Sequence, residues 1–235
     1  MLNKKSFILI GLSVGLVVSL LFLVQRNKPD KVLSETTTAN EVSPSQAPSI
    51  KVNCAPQENP DLQKAIINDI IQGIITEFKS EIGAVDPAHP EDADKNWLTI
   101  DCQTVRSDDE LFSVKFNISA YGYGAAHPVS YVKTFNYSLR NNKELGLSDL
   151  FKDKSDYLEK LSALSRQHLK ASLKDGYFQT MVEDGTSPND EKFKGFLVEK
   201  DGLTIIFDQG QVSSNADGIQ QIKILSSELE PIYLF

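Results

Sequence analysis

The stretch Leu111 to Tyr121 constrains this chain more than any other. Phe112, Val114, Phe116, Ile118 and Ala120 fall on one parity, and Ser113, Lys115, Asn117 and Ser119 on the other. Successive side chains of a strand point to opposite faces, so this pattern predicts a strand with one face on a core and one wetter face. Such a strand needs neighbours, and the sequence supplies them. Trp97 to Val105 precedes it across the turn Ser107-Asp108-Asp109. Val129 to Leu139 follows it, with Val129, Tyr131, Phe135, Tyr137 and Leu139 on one face, and ends at the turn Arg140-Asn141-Asn142-Lys143. Further on, Phe193 to Val198 and Leu203 to Phe207 flank Lys200-Asp201-Gly202 as a hairpin, and Ile219 to Leu225 reads as a last strand.

Two segments carry helical spacing instead. Leu62, Ile66, Ile70, Ile74, Phe78 and Ile82 recur on one stripe, widened by Ile67, Ile71 and Ile75. Asn59-Pro60-Asp61 supplies a cap candidate, a first-turn proline and an acid at the positive dipole end. The second segment runs from about Ser155 to Lys174, with Tyr157, Leu158, Leu161, Leu164 and Leu169 as its apolar side. Strands and helices segregate rather than alternate, so the expected class is α+β. The expected architecture is an antiparallel sheet packed against two long helices, after one N-terminal transmembrane helix.

That transmembrane helix is expected from Phe7 to Val24, an uncharged run whose length reaches about 27 Å at helical rise. The run ends Leu20-Leu21-Phe22-Leu23-Val24, without the small residues of a signal-peptidase site and without a following cysteine. Residues 1–29 are therefore read as a signal anchor. Gly11 and Gly15 have the spacing of a helix-packing motif. Residues 30–49 are rich in Ser, Thr and Pro and read as a flexible linker. Residues 50–235 form the extracytoplasmic domain, divided into an N-terminal part, 50–109, and a second part, 110–229. Six residues precede the apolar run, so activity is expected after residue 30.

Charge narrows the partners. Residues 1–31 hold five of the 24 basic residues and one of the 32 acids, leaving 19 basic against 31 acidic in the remainder. An acidic body repels nucleic acid and anionic lipid but suits a cationic protein. Cys54 and Cys102 are the only cysteines, and in an exported chain they are expected to form a disulfide, with free buried thiols as the alternative. Three histidines occur. His89 lies among Asp86, Glu91, Asp92 and Asp94 without a defined ligand spacing, and His168 lies on the second helix. His127 sits in Gly122-Tyr123-Gly124-Ala125-Ala126-His127-Pro128, where glycines permit a close approach and proline fixes the exit. The candidate ligand-binding residues are Tyr121, Tyr123, Gly124, His127 and Tyr131. No nucleophile elbow, phosphate loop, zinc-binding cysteine set or HExxH is present. The chain is therefore read as no enzyme, with no cofactor and no metal.

From Tyr121 onward the chain resembles the exported domain found at the C-terminus of the lysozyme-sensing anti-sigma-V factor and ahead of some peptidoglycan deacetylase domains. The resemblance is carried by Gly124-Ala125-Ala126-His127-Pro128, Thr134-Phe135-Asn136-Tyr137-Ser138-Leu139 and Leu147-Ser148-Asp149-Leu150-Phe151. It continues in Gly202-Leu203-Thr204-Ile205-Ile206-Phe207 and Ala216-Asp217-Gly218-Ile219. Ala125 stands where the family pattern has glycine, and Ser138 where it has aspartate. The resemblance implies a membrane-tethered domain that recognises a lysozyme-like protein or a cell-wall glycan, held to the membrane through residues 7–24. Two other expectations remain open. An envelope hydrolase or deacetylase would use His127 with Asp208 or Asp217. A structural envelope protein would self-associate through Gly11 and Gly15.

Overall fold

The computed structural model describes residues 47–54, 61–83 and 89–235, all within the compact unit Ser43–Phe235. The apolar run 7–24, most of the linker and the cap residues Asn59 and Pro60 lie outside the described residues. Among those described, no helix is long and apolar enough to cross a membrane.

The alternation of Leu111–Tyr121 produces the central strand, β3, of a five-stranded sheet. Its neighbours are β1 (Ser49–Cys54), β2 (Trp97–Ser107), β4 (Val129–Ser138) and β5 (Lys143–Glu144), in the order β1-β2-β3-β4-β5. Phe112, Val114, Phe116, Ile118 and Ala120 are all buried, against α1 (Asp61–Glu81). Ile67, Ile71, Ile74 and Phe78 are the helix positions that meet them, while Leu62 at the start of the stripe is exposed.

Two expectations are corrected here. The sheet is not wholly antiparallel, because β1 pairs with β2 in parallel, with Cys54 beside Cys102. The sequence reading assigned no strand there; half of β1 is polar, and it borders the Ser/Pro-rich stretch. The single expected sheet is also two sheets. A second, three-stranded antiparallel sheet is built from β6 (Gly195–Val198), β7 (Gly202–Phe207) and β8 (Gln220–Leu225). The second long helix, α2 (Tyr157–Leu173), packs on this sheet rather than on the first, with Leu161 and Leu169 in a core shared with Leu203, Ile205 and Phe207. Each sheet thus has its own long helix and its own core.

Asn136 joins the two sheets. Its Oδ1 accepts from Ser113 Oγ at 2.6 Å and from Val198 N at 3.0 Å, and its Nδ2 donates to Phe196 O at 2.9 Å. All of these groups are buried. Gly202 permits another close approach, since a Cβ there would collide with Ile224 O on β8. Asp149 organises the turn Leu147–Leu150 by accepting from Gly146 N at 2.9 Å and Lys143 Nζ at 2.6 Å. The Lys143 hydrogen bond leads the effects that hold its carboxyl below the usual range, ahead of the opposing burial and the Gly146 N–H. That turn drives Leu147, Leu150 and Phe151 into the second core.

Candidate functional site

The expected site residues divide between two places. Tyr121, Tyr123, Gly124 and His127 gather at one end of the first sheet, where β3 leaves for β4. Gly124 has φ +90°, a conformation that favours glycine. Asn96 is buried and fastens this loop. Its Oδ1 accepts from Tyr123 N at 2.8 Å, while its Nδ2 donates to Asp92 O and Ala93 O of the 3-10 turn Pro90–Lys95. Tyr123 itself is 53% exposed, with Lys95 Nζ 4.4 Å from its ring centroid. The hydrogen bond to Asp92, foremost, pushes the Lys95 ammonium above its ordinary range, so that cation is stable.

His127 Nδ1 lies 3.0 Å from Pro128 O. A carbonyl only accepts, so this contact places the proton on Nδ1. The ring is exposed and borders a recess of about 300 Å³ with Glu81, Ile82 and Gly122. The acids expected as catalytic partners are engaged elsewhere. Asp208 pairs with Lys194 at 3.6 Å, and Asp217 Oδ2 accepts from Ser214 N and Oγ at 3.0 and 2.7 Å. Among the described residues, no group of three or more His, Cys, Asp and Glu could hold a metal ion. Asp92, one of the acids around His89, is paired with Lys95.

Tyr131 is not part of this end. It stands opposite Ile118 on the face toward α1, half-buried, and burial first, then the Glu77 and Glu81 carboxylates, push its phenol up. It lines a second, larger groove of about 560 Å³ along β4, together with Gln209 and Gln211. Gln209 and Gln211 belong to the segment 209–215, which is exposed at both ends and anchored in its middle. Val212 and Ser213 are buried, and Gln211 Nε2 donates to Gly185 O and Lys192 O, at 2.8 and 2.9 Å, which staples the segment to α3 (Gln179–Gly185).

One element escaped the sequence reading. Trp97 stands directly opposite Tyr121 in the β2–β3 register, and the two rings stack at 6.5 Å. They share the sheet face that turns away from α1. That face continues through Thr99, Asp101, Asn117, Ser119 and Ser130, each at least partly exposed. Asn53 Nδ2 donates to Asp101 Oδ1 at 2.8 Å, and the Ser119 and Ser130 hydroxyls meet at 3.0 Å. The signal was available: up to the register shift after Thr104, the residues of β2 that share a parity with Trp97 are Thr99, Asp101 and Gln103, a polar run that marks a wet face.

Cys54 and Cys102 form the expected disulfide, with Cα atoms 4.6 Å apart, between adjacent residues of the parallel pair. His168 is satisfied on α2, its Nε2 donating to Glu228 Oε1 at 2.9 Å.

The site is therefore a sheet-end surface in a two-sheet α+β domain, with stacked aromatics on one side and a small recess on the other. Residues 148–226 match the family described as "Protein of unknown function (DUF3298)", the stretch that holds α2 and the second sheet. The chain is 32% identical over 158 residues to the peptidoglycan-N-acetylmuramic acid deacetylase PdaC of Bacillus subtilis. The match covers 67% of this chain and 33% of that protein, so the chain spans about a third of its length. A crystal structure of a DUF3298 family member from Bacteroides fragilis has a TM-score of 0.53 at 20% identity, covering 76% of this chain and 71% of that one. A DUF3298 protein structure from Pseudomonas aeruginosa gives a TM-score of 0.47 at 16% identity over 63% and 66% of the two chains. The Bacteroides structure supports the fold.

Proposed function

We propose that this chain is a membrane-tethered, extracytoplasmic binding domain of the cell envelope that acts without catalysis and recognises a wall glycan. One observation carries the reading: the stacked Trp97–Tyr121 pair at the head of an open sheet face of hydroxyl, amide and carboxylate side chains. A half-exposed aromatic plane receives the C–H face of a sugar ring. Polar side chains spaced along the strands meet its hydroxyl groups. The similarity to part of a peptidoglycan deacetylase, which the chain matches over only a third of that protein, agrees with a wall polymer as the ligand. The partners already taken by His127, Asp208 and Asp217 support binding rather than hydrolysis. The apolar run 7–24 would tether the domain to the membrane.

The acidic charge favours a second reading, in which the same end meets a basic, lysozyme-like protein. Co-sedimentation of the full chain, in mild detergent and moderate salt, with insoluble peptidoglycan tests the first reading; retention on immobilised lysozyme tests the second. Wall retention should fall at least tenfold in Trp97→Ala and Tyr121→Ala. Wild-type retention in both variants would sink the glycan surface. Retention on lysozyme alone would replace it with the protein reading.

A further inference from the structure

The groove along β4 has a property that the glycan reading does not use. β5 pairs only with Tyr137 and Ser138. Among the described residues, no strand pairs with the outer side of β4 from Val129 to Phe135. The direction of the unpaired groups follows from the register. Asn136 O accepts from Leu145 N at 2.8 Å, on the side away from β3. Backbone direction alternates along a strand, and the β3–β4 register runs without a break. Ser130, Val132 and Thr134 therefore turn their N–H and C=O groups outward, into the groove of about 560 Å³.

The two walls of that groove differ. On the α1 side stand Ile70, Tyr131 and Phe135, an apolar wall. On the other side stand Lys192 and Lys194, beside Gly195 and Ile206. Counting Lys133, which pairs with Glu77 at 2.5 Å, the lining holds three lysines and a single acid, Asp208. Residues 47–235 hold 19 of the 24 basic residues and 29 of the 32 acids. Asp208 pairs with Lys194 at 3.6 Å, so with Glu77 counted a local excess of one positive charge stands in a domain with an excess of ten negative ones. Lysines beside an open edge oppose pairing with a second copy, whose own lysines would meet them. The same lysines attract a strand of the opposite sign.

We propose that the outer edge of β4 accepts an extended acidic peptide as an additional strand. Its backbone pairs with Ser130, Val132 and Thr134. Its side chains alternate, apolar ones toward Ile70, Tyr131 and Phe135 and acidic ones toward Lys192 and Lys194. The site lies on the edge of the sheet rather than on the Trp97–Tyr121 face, and it stands whether or not a glycan binds there.

The test is fluorescence anisotropy with the full chain in mild detergent and a labelled nine-residue peptide alternating valine and glutamate. Binding is expected, weakened at least tenfold when lysine replaces glutamate in the peptide. Two further peptides carry N-methyl groups, each on one alternate set of residues, and one of them should lose binding at least tenfold. Val132→Pro removes an outward N–H that the β3 ladder does not need, and should do the same with the circular dichroism spectrum unchanged. The N-methyl peptides leave the protein untouched, so they decide the matter if that variant fails to fold. Absence of binding at millimolar protein, equal binding of the lysine peptide, or equal binding of both N-methyl peptides would overturn the proposal.

Discussion

Truncating Asn136 to alanine should be the most damaging single change at the joint between the two sheets. The side chain is 2% exposed and makes three hydrogen bonds, two to backbone groups of β6 and one to Ser113. Alanine leaves the Val198 N–H, the Phe196 C=O and the Ser113 hydroxyl without these partners. A buried polar group stranded in this way costs about 1–3 kcal/mol. The hydroxyl can rotate and an under-satisfied carbonyl is the milder case, so the three together should cost about 3–5 kcal/mol. That is a large fraction of the ~5–15 kcal/mol of a typical domain. Ser113→Ala is the control. It removes one donor while Asn136 Oδ1 keeps the Val198 N–H, so about 1 kcal/mol should be lost. Urea titration, followed by the fluorescence of Trp97 and by circular dichroism, measures both variants. The double variant should cost less than the two singles summed, because the groups share one network. A cost under about 1 kcal/mol for Asn136→Ala would refute the reasoning, since the orphaned groups would then have found other partners.

The remaining predictions concern the disulfide, acid and a glycine. Replacing Cys54 and Cys102 together by serine should cost about 4 kcal/mol on the chain-entropy account, given a sequence separation of 48, and a reductant should lower the melting temperature of the wild type but not of the variant. Asp149 is held below its ordinary value of 3.8, by Lys143 first, and Glu228 below 4.5, by the Leu225 N–H first and, against burial, by His168 as well. A carboxylate depressed in the folded state stabilises fully above its unfolded pKa, and the benefit is lost as pH falls through that value toward the folded one. Urea midpoints should therefore fall below about pH 4.5, and Asp149→Asn should flatten part of that dependence; an unchanged profile would remove Asp149 from the account. Gly202→Ala forces a Cβ onto the Ile224 carbonyl and should cost about 1–3 kcal/mol in the same titration.

The first sheet was largely legible. The parity of β3 named the residues that meet α1, because a strand covered on one face must alternate, though not Ser113, which is buried beside Asn136 rather than wet; Tyr131, Phe135 and Tyr137 of β4 lie on the face expected of them. Both long helices were legible from their spacing. Two features were not. An edge strand such as β1, with Ile50 and Cys54 half-buried and Lys51 and Asn53 exposed, carries too weak a pattern to stand out beside a polar stretch. The second sheet was read as a hairpin of the first, although Gly202–Phe207 is buried at every position. An apolar run broken only by Thr204 signals cover on both faces. Here Leu203, Ile205 and Phe207 face the α2 core, while Ile206, of the other parity, lines the groove along β4. At the site, glycines and tyrosines mark the loop after β3, whereas nothing local marks Trp97, whose partner across the strand pair lies in sequence beyond the whole of β2 and most of β3.

The motifs that carry the family resemblance turn out to hold the fold. Asn136 of the Thr134–Leu139 strand joins the sheets, Asp149 of Leu147–Phe151 sets the turn into the second core, and Gly202 opens room for β8. Asn136 shares the sheet face of the Trp97–Tyr121 pair but sits at its far end, buried under β6, and Asp149 and Gly202 lie outside that sheet. Recognition and folding are therefore assigned to different residues, and they should separate experimentally. Asn117 illustrates the point. It is exposed on the sheet face, opposite Val132 on one side and Asp101 on the other, and it lies outside both cores. Asn117→Leu should change stability by no more than about 0.5 kcal/mol, as surface changes generally do, yet it removes an amide from the middle of the proposed glycan face. Sedimentation with peptidoglycan should weaken while the urea midpoint holds. Loss of both together would mean that the open face is part of what keeps the sheet folded, and that the division between joint and surface is drawn in the wrong place.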